Sequence, residues 1–486
     1  MDVLNSIALP QSTEHFHLLL FIYNLVMAMA VPYLALLTGT LLFAVWTERR
    51  QEKGRIVHGL RLSRQMLDWV LPTRSVYLFL GLLPALAMVF VHAQLFQGTS
   101  SLATSFSALG VLFLIAAGIA AFSYIYAFRI EEAFAGIKGD GAAGRAAEEL
   151  LASARKSQRR NGTTAVWTIL AMAFSFSVAQ AISMNPGHWR DIDSVFSAVL
   201  SLDVWVWLLL FLSLSAAITG AGILFFQHKR GGPAGEAAAI GVPDGGAYSG
   251  STQNRFAGAE RVSDSNGDPG SIQDGKADSA RILGEKAGIR MSTVALLVAP
   301  LLVLLTLVRL PESAASGWVY VLAAVAVLLL FAALHALYAC VRLKRWSSSA
   351  YLFATVVLAT TALVTRDQVV LHNVTKDHAY VLAQVYDRSE EELKSALGVV
   401  AKQLTGEDIY NAKCSACHLF DQKKVGPAYQ AVVPKYKENK AGLVAFILNP
   451  VKVDPAYPPM PSQGLKPSEA DSIATYLLQK LGAKGS

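Results

Sequence analysis

Eight stretches of this chain are long and apolar enough to cross a lipid bilayer, and that limits its fold more than any other feature. They cover residues 16–46, 74–96, 104–128, 163–184, 203–227, 291–310, 317–341 and 347–365. A spanning helix needs about 20 mostly apolar residues, and lipid leaves each backbone amide only a partner within its own segment. The expected fold class is therefore all-α: a polytopic membrane bundle of about eight helices, followed by a small all-α domain. Pro32 lies inside the first segment and is a natural kink position. The chain starts with no basic region and no small-residue cleavage site, so the first segment is expected to stay as a membrane helix.

Charge refines this reading. Of the 486 residues, 16% are charged, and the formal net charge is +7. A basic balance can signal nucleic acid, but here Lys and Arg gather between apolar runs, as membrane flanks do, and no nucleic-acid partner is expected. Arg49, Arg50, Lys53, Arg55, Arg61 and Arg64 follow the first segment, and Arg129, Lys138, Arg145, Arg155, Lys156, Arg159 and Arg160 follow the third. Lys229 and Arg230 follow the fifth, and Arg342, Lys344 and Arg345 the seventh. The alternate loops are nearly bare, with none in 97–103 and only Arg190 in 185–202. The positive-inside rule then puts these basic loops in the cytoplasm and both termini in the periplasm of an inner (cytoplasmic) membrane.

The domain plan is read as membrane helices one to five in 1–228, a loop in 229–290, helices six to eight in 291–365, a connector in 366–404 and a small domain in 405–486. Thirteen glycines fall within 231–290 among Ala, Ser and Asp, a composition that buries too little to order itself; a flexible cytoplasmic loop is expected. The connector, with Glu390, Glu391, Glu392 and Lys394, reads as charged, partly helical and periplasmic.

The small domain carries the chemistry. It contains Cys414-Ser415-Ala416-Cys417-His418, two thiols on one helical turn with an imidazole next to them. Such thiols can each add to a haem vinyl group, and the adjacent His can then sit under the iron. A structural zinc would need two more ligands, and no Cys or His follows His418. Gly426-Pro427 stands eight residues on, and Pro458-Pro459-Met460-Pro461 precedes an amphipathic stretch that starts at Pro467. Met460 is the one methionine after the motif, held between prolines; as a soft thioether it suits the other axial position. The third cysteine, Cys340, lies in an apolar run and reads as a small buried hydrophobe.

These features make residues 405–482 similar to a class I cytochrome c domain. The resemblance implies one covalent haem c, with Cys414 and Cys417 as attachment points and His418 and Met460 as iron ligands. It further implies a Pro427 carbonyl that accepts a hydrogen bond from His418, and a haem edge exposed to a redox partner. Haem attachment outside the cytoplasm in this family agrees with the loop charges.

The membrane part offers His15 and His17 at the outer mouth of the first segment, His92 near the outer end of the second, His188 after the fourth and His335 inside the seventh. Ionisable groups at such depths are functional candidates. His17 and His92 could hold a haem b between adjacent helices, or they could be interfacial histidines bonded to loops and headgroups. The layout of residues 13–228 resembles subunit I of the cytochrome bd quinol oxidases, through the outer His and Asn185-Pro186. It departs from that family at Asp203-Val204-Trp205-Val206-Trp207, in a third helix without glutamate, and in the side on which the long loop lies.

Three functions follow as expectations. The first is an electron-transfer subunit of a respiratory complex, working at the periplasmic face with a periplasmic electron carrier or a neighbouring redox subunit. The second is a quinol-oxidising or terminal-oxidase-like subunit with additional b or d haems. The third is a helical scaffold, with membrane lipid as its partner, that tethers a cytochrome. A reporter fused after Arg230 should read as cytoplasmic, and one after Ser486 as periplasmic. Both reporters on one side would require an even number of crossings between them, against the three expected.

Overall fold

A computed structural model describes residues 11–52, 59–99, 101–134, 142–231, 269–397 and 404–482. Its described residues are helices, turns and loops, with no strand among them. Eight helices are long and apolar enough to span a membrane. In chain order the main elements are α1 (Thr13–Glu52), α2 (Gly59–Val70), α3 (Arg74–Leu95), α4 (Ala103–Phe134), α5 (Ala142–Ser183), α6 (Leu202–Gly231), α7 (Pro269–Val308), α8 (Gly317–Arg342) and α9 (Ser348–Ala396). The small domain follows with α10 (residues 406–414), α11 (Lys440–Leu448) and α12 (Pro467–Gly482).

Local sequence explains several boundaries. Thr73 caps α3, its hydroxyl accepting from the Val76 amide at 3.3 Å. Within α3, residues 78–82 widen into a π-turn where the Leu83 amide reaches the Leu78 carbonyl. Pro84 follows immediately and has no N–H to donate, so the ladder changes register at this point. Ser194 and Ser197 form a reciprocal capping box on the short helix Val195–Leu200.

The helices outrun the apolar stretches. α5 begins more than three turns before the charged run of residues 155–160, most of which are good helix formers. α7 begins at Pro269, so the part of the Gly-rich segment from Pro269 onward is helical and not loop. Residues 232–268, the rest of that segment, lie outside the described residues. α9 continues without a break from the eighth apolar stretch through most of the charged connector, to Ala396. Its connector half holds Ala, Leu, Glu, Lys and Arg, and nothing there stops a helix. The amphipathic α2 was not foreseen. It is strongly two-faced, with Leu62, Met66 and Leu67 buried and Arg64 and Asp68 paired at 3.7 Å on the other side.

The chain divides into two compact units. The first comprises residues 22–92 and 99–374, hence most of the membrane helices. One of its cores joins α1 to α5 through Leu37, Leu41, Leu67, Leu114, Tyr124, Ile169 and Met172. A second joins α6 to α9 through small residues such as Ala221, Ala299, Ala326 and Ala359, with Leu330, Leu352 and Val356. Large apolar side chains point outward along the same helices, among them Leu297, Leu301, Leu304, Leu328 and Phe331. No water-facing surface is built this way; such exposed rows need hydrocarbon around them. The protein is thus a multi-pass membrane protein.

Small residues set how closely the helices pack. At Gly220 on α6, an added Cβ would lie 2.8 Å from the Gly288 carbonyl oxygen and 2.9 Å from the Ser292 amide on α7. Both neighbours are backbone and cannot swing aside. Gly220→Leu should therefore part α6 from α7 and cost at least the roughly 1–3 kcal/mol of an overpacked core. Thermal unfolding of the detergent-solubilised protein reads this; an unchanged midpoint would show that the two helices are not held at this distance.

Candidate functional site

The second compact unit contains the chain from Thr375 onward, together with Ala93–Gly98 and the first turns of α1 up to Phe21. Its core gathers Ile409, Tyr410 and Cys414 from α10, Leu443, Val444 and Ile447 from α11, and Ala470, Ile473, Ala474 and Leu477 from α12.

α10 begins with a capping box. Thr405 Oγ1 accepts from the Asp408 amide at 3.2 Å, and Asp408 Oδ2 accepts from the Thr405 amide at 3.0 Å. The helix then crosses α12 at Gly406, where a Cβ would lie 2.4 Å from both the Ser472 carbonyl oxygen and Tyr476 Cβ. The last turn of α10 is a π-turn that delivers Cys414, and the chain folds back with the His418 amide donating to the Cys414 carbonyl at 2.9 Å. The attachment motif is therefore a single tight turn, with both sulfurs and the imidazole on consecutive local bends.

The next segment returns onto that turn. The Gly426 amide donates to the Cys417 carbonyl at 2.9 Å. His418 Nδ1 stands 3.0 Å from the Pro427 carbonyl oxygen. Because a carbonyl can only accept, Nδ1 carries the proton and Nε2 keeps its lone pair. Gly426 makes this approach possible: a Cβ there would lie 2.3 Å from His418 Cε1. Tyr429 stacks on the imidazole with ring centroids 5.0 Å apart and planes 12° from parallel.

Cys414, His418 and Met460 line one cavity of about 1050 Å³ counting its open mouth, at the upper end of the range for small-molecule sites. Its other walls are mainly apolar or aromatic, with Leu443, Phe446, Ile447 and Leu465 among them. Burial pushes the Cys414 thiol up, which keeps it neutral in an apolar place. Burial likewise pushes the Tyr429 phenol far above its ordinary value. One thiol, an oriented imidazole and a thioether on an apolar cleft, with the half-buried Cys417 on the same turn, fit a flat iron tetrapyrrole. Among the described residues, no group of three or more His, Cys, Asp or Glu side chains converges to hold a bare metal ion.

The membrane histidines are placed differently. His17 is exposed and belongs to the second unit, whereas His92 is 1% exposed and belongs to the first. His92 Nδ1 lies 2.7 Å from Ser107 Oγ, and its Nε2 lies 3.5 Å from Ser183 Oγ. His188 Nε2 bonds Asp203 Oδ2 at 2.6 Å, and Arg309 Nε bonds Asp203 Oδ1 at 2.6 Å. His335 is exposed beside Tyr338. The sequence reading did not single out Gly406, Tyr429 or Tyr476. A glycine two turns before the motif and single aromatics are weak signals alone; the crossing of α10 with α12 gives Gly406 and Tyr476 a role, and the stack on His418 gives one to Tyr429.

Comparison with known proteins fits this geometry. The family described as "Cytochrome C oxidase, cbb3-type, subunit III" matches residues 401–477. Cytochrome c-551 of Pseudomonas denitrificans is 39% identical over 79 residues, covering 15% of this chain and 95% of that protein. Cytochrome c-551 of Azotobacter vinelandii is 33% identical over 79 residues, with the same shares covered. Cytochrome c-552 of Hydrogenobacter thermophilus is 32% identical over 91 residues, 18% of this chain and 92% of the relative. No solved structure matches the chain. A near-complete cytochrome of this kind, joined in sequence to eight apolar helices, means that the chain belongs to the cytochrome c family through its C-terminal domain.

Proposed function

We propose that this protein is the membrane-bound c-type cytochrome of a respiratory complex, passing electrons at the periplasmic face of the inner membrane. The observation that carries the site assignment is the His418–Pro427 hydrogen bond made across Gly426. It fixes the imidazole tautomer and direction, as a permanent axial ligand requires.

Each residue has one task in this reading. Cys414 and Cys417 would anchor haem c as thioethers. His418 would offer Nε2 to the iron, with Pro427 holding the other ring nitrogen. Met460 would offer its thioether to the iron, a soft donor that favours the ferrous state and raises the potential. The haem supplies a one-electron ferric/ferrous couple. Apolar residues of α11 and of the loop 451–465 would wall the haem, and a low-polarity wall limits the charge reorganisation of each transfer.

The family match to a protein named as an oxidase subunit, and the eight spans, support a place in a larger membrane complex. A periplasmic carrier or a neighbouring redox subunit would exchange electrons at the cleft mouth. The loop charges support the periplasmic location. A haem b on His17 and His92 is not part of this proposal: the hydroxyls of Ser107 and Ser183 account for the burial of His92. Nor is a bd-type oxidase site, since Asp203 is committed to His188 and Arg309.

Cys414→Ala combined with Cys417→Ala should leave a denatured chain with no covalent haem stain; a stained band would remove these thiols from the site. Met460→His should lower the reduction potential by on the order of 0.1–0.2 V, a fraction of the roughly 0.8 V range that axial ligation spans. An unchanged potential would exclude Met460 as ligand. Haem-stained native electrophoresis of solubilised membranes tests the complex. Migration as the lone 52.2 kDa chain, with no redox partner, would sink that part of the proposal.

A further inference from the structure

The first compact unit holds a charge pair that the cytochrome chemistry does not use. Arg366 and Asp367 lie on α9, and the Arg366 side chain is only 1% exposed. Its Nε and Nη2 donate to Asp367 Oδ1 at 2.8 and 2.6 Å, and its Nη1 donates to Thr306 Oγ1 at 2.9 Å. The guanidinium carbon sits 5.6 Å from the Trp207 ring centre. Taking two charges out of water costs several kcal/mol per ion, and a pair such as this one returns that energy only through good geometry. Ionisable groups inside a bundle mark ligand or ion sites by default.

This pair has such a site beside it. Asp367 and Gln368 line a cavity of about 840 Å³, counting its opening, enclosed by helices of this unit. Most of the wall is apolar, from methionines such as Met88 and Met172 and aromatic rings such as Phe176 and Trp207. The Gln368 amide bonds the buried Tyr23 hydroxyl, and its carbonyl oxygen, Oε1, is buried and finds no donor among the described residues. A buried acceptor in that condition costs roughly 1–3 kcal/mol, which a ligand donor would recover. The polar end therefore presents a carboxylate and a spare amide oxygen, with the adjacent guanidinium already engaged by Asp367 and Thr306.

We propose that this cavity binds a hydroquinone of the membrane, ring against the aromatic wall and hydroxyl groups donating to Asp367 and Gln368. A flat ring with an apolar tail matches the lining, and two phenolic O–H groups match an end made of acceptors. The oxidised quinone carries carbonyl acceptors in the same places and would face the carboxylate unfavourably, so the reduced form binds more tightly. Lipid acyl chains would fill the apolar part but have no use for the polar end. The proposal concerns binding, and its biological sense rests on the reading of the chain as a membrane electron carrier.

The test uses the full-length haem-loaded protein in detergent and radiolabelled decyl-benzoquinol under anaerobic conditions, followed by equilibrium dialysis. One saturable site per chain is expected, at least fivefold tighter for the quinol than for its quinone. Asp367→Asn should weaken quinol binding at least tenfold. Because that change leaves Arg366 without its counter-charge and could unfold the bundle, Ala173→Leu is the second variant. It fills part of the cavity, leaves the ion pair intact, and should also weaken binding at least tenfold. An unaltered haem c band and elution volume show that each variant is folded. Non-saturable uptake, or equal affinity in wild type and folded Ala173→Leu, overturns the site. Reduction of haem c by ascorbate is measured separately: its failure would count against the electron-transfer reading and leave the dialysis result to decide the cavity.

Discussion

A backbone amide carried into hydrocarbon without a hydrogen-bond partner costs roughly several kcal/mol, and most of this protein is arranged around avoiding that cost. Each of the eight spans satisfies its amides within itself, so helix–helix attraction comes from packing and from a few side-chain hydrogen bonds between helices, such as Ser213 Oγ to the Ala295 carbonyl at 3.1 Å. This explains the small residues at the crossings. Gly220 lies against Gly288 and Ser292, and Gly39 lies where a Cβ would meet the Ser215 carbonyl oxygen at 2.6 Å. It also explains the serine and threonine hydroxyls that return to carbonyls of the preceding turn, as Thr38 does to Leu34 at 2.8 Å. Several charged groups that remain inside are paired or grouped: Glu48 with Tyr124 and Gln158, Asp203 with His188 and Arg309, Arg366 with Asp367.

The cytochrome domain obeys the opposite economy. It is small, and its core of short helices is built around a cleft whose apolar walls need a large flat ligand to complete them. The precision lies in one contact, the imidazole of His418 against the Gly426-Pro427 turn. A side chain at 426 would displace the ring, and a different carbonyl direction would change its tautomer. The rest of the domain positions that contact: the capping box starts α10, the crossing at Gly406 docks it on α12, and the π-turn aims Cys414 inward.

Within the second unit the end of α9 is tied to the cytochrome domain. Lys466 Nζ bonds Glu390 Oε2 at 2.7 Å, while Lys394 holds the other oxygen of the same carboxylate at 2.7 Å. The bond to Glu390 raises the Lys466 ammonium above its ordinary value, while bonds from Lys394 and Lys466 hold the Glu390 carboxyl down to about 2, so the contact is present at neutral pH and is lost as strongly alkaline pH deprotonates the lysine or as strong acid protonates the carboxylate. Tyr380 on α9 also packs against the domain's core. The charged connector thus continues as helix and carries specific contacts. Its sequence had suggested only charge and partial helicity.

The sequence by itself determined the number and places of the spans, because a bilayer accepts so few backbone solutions that twenty apolar residues suffice to mark one. It marked Cys414 and Cys417 as candidate attachment points and His418 and Met460 as candidate ligands, because covalent haem chemistry fixes its spacing along the chain. Helix ends were less legible: α5 and α7 run on through charged, glycine-containing stretches and α9 through a charged one, since good helix formers continue a helix that packing has already nucleated. Tertiary structure alone decided the rest. That His92 faces two serines, that Gly426 exists to admit an imidazole, and that Arg366 and Asp367 border a cavity are facts about neighbours far away in the chain. No local pattern encodes such neighbours, because which side chains meet is set by how the helices pack.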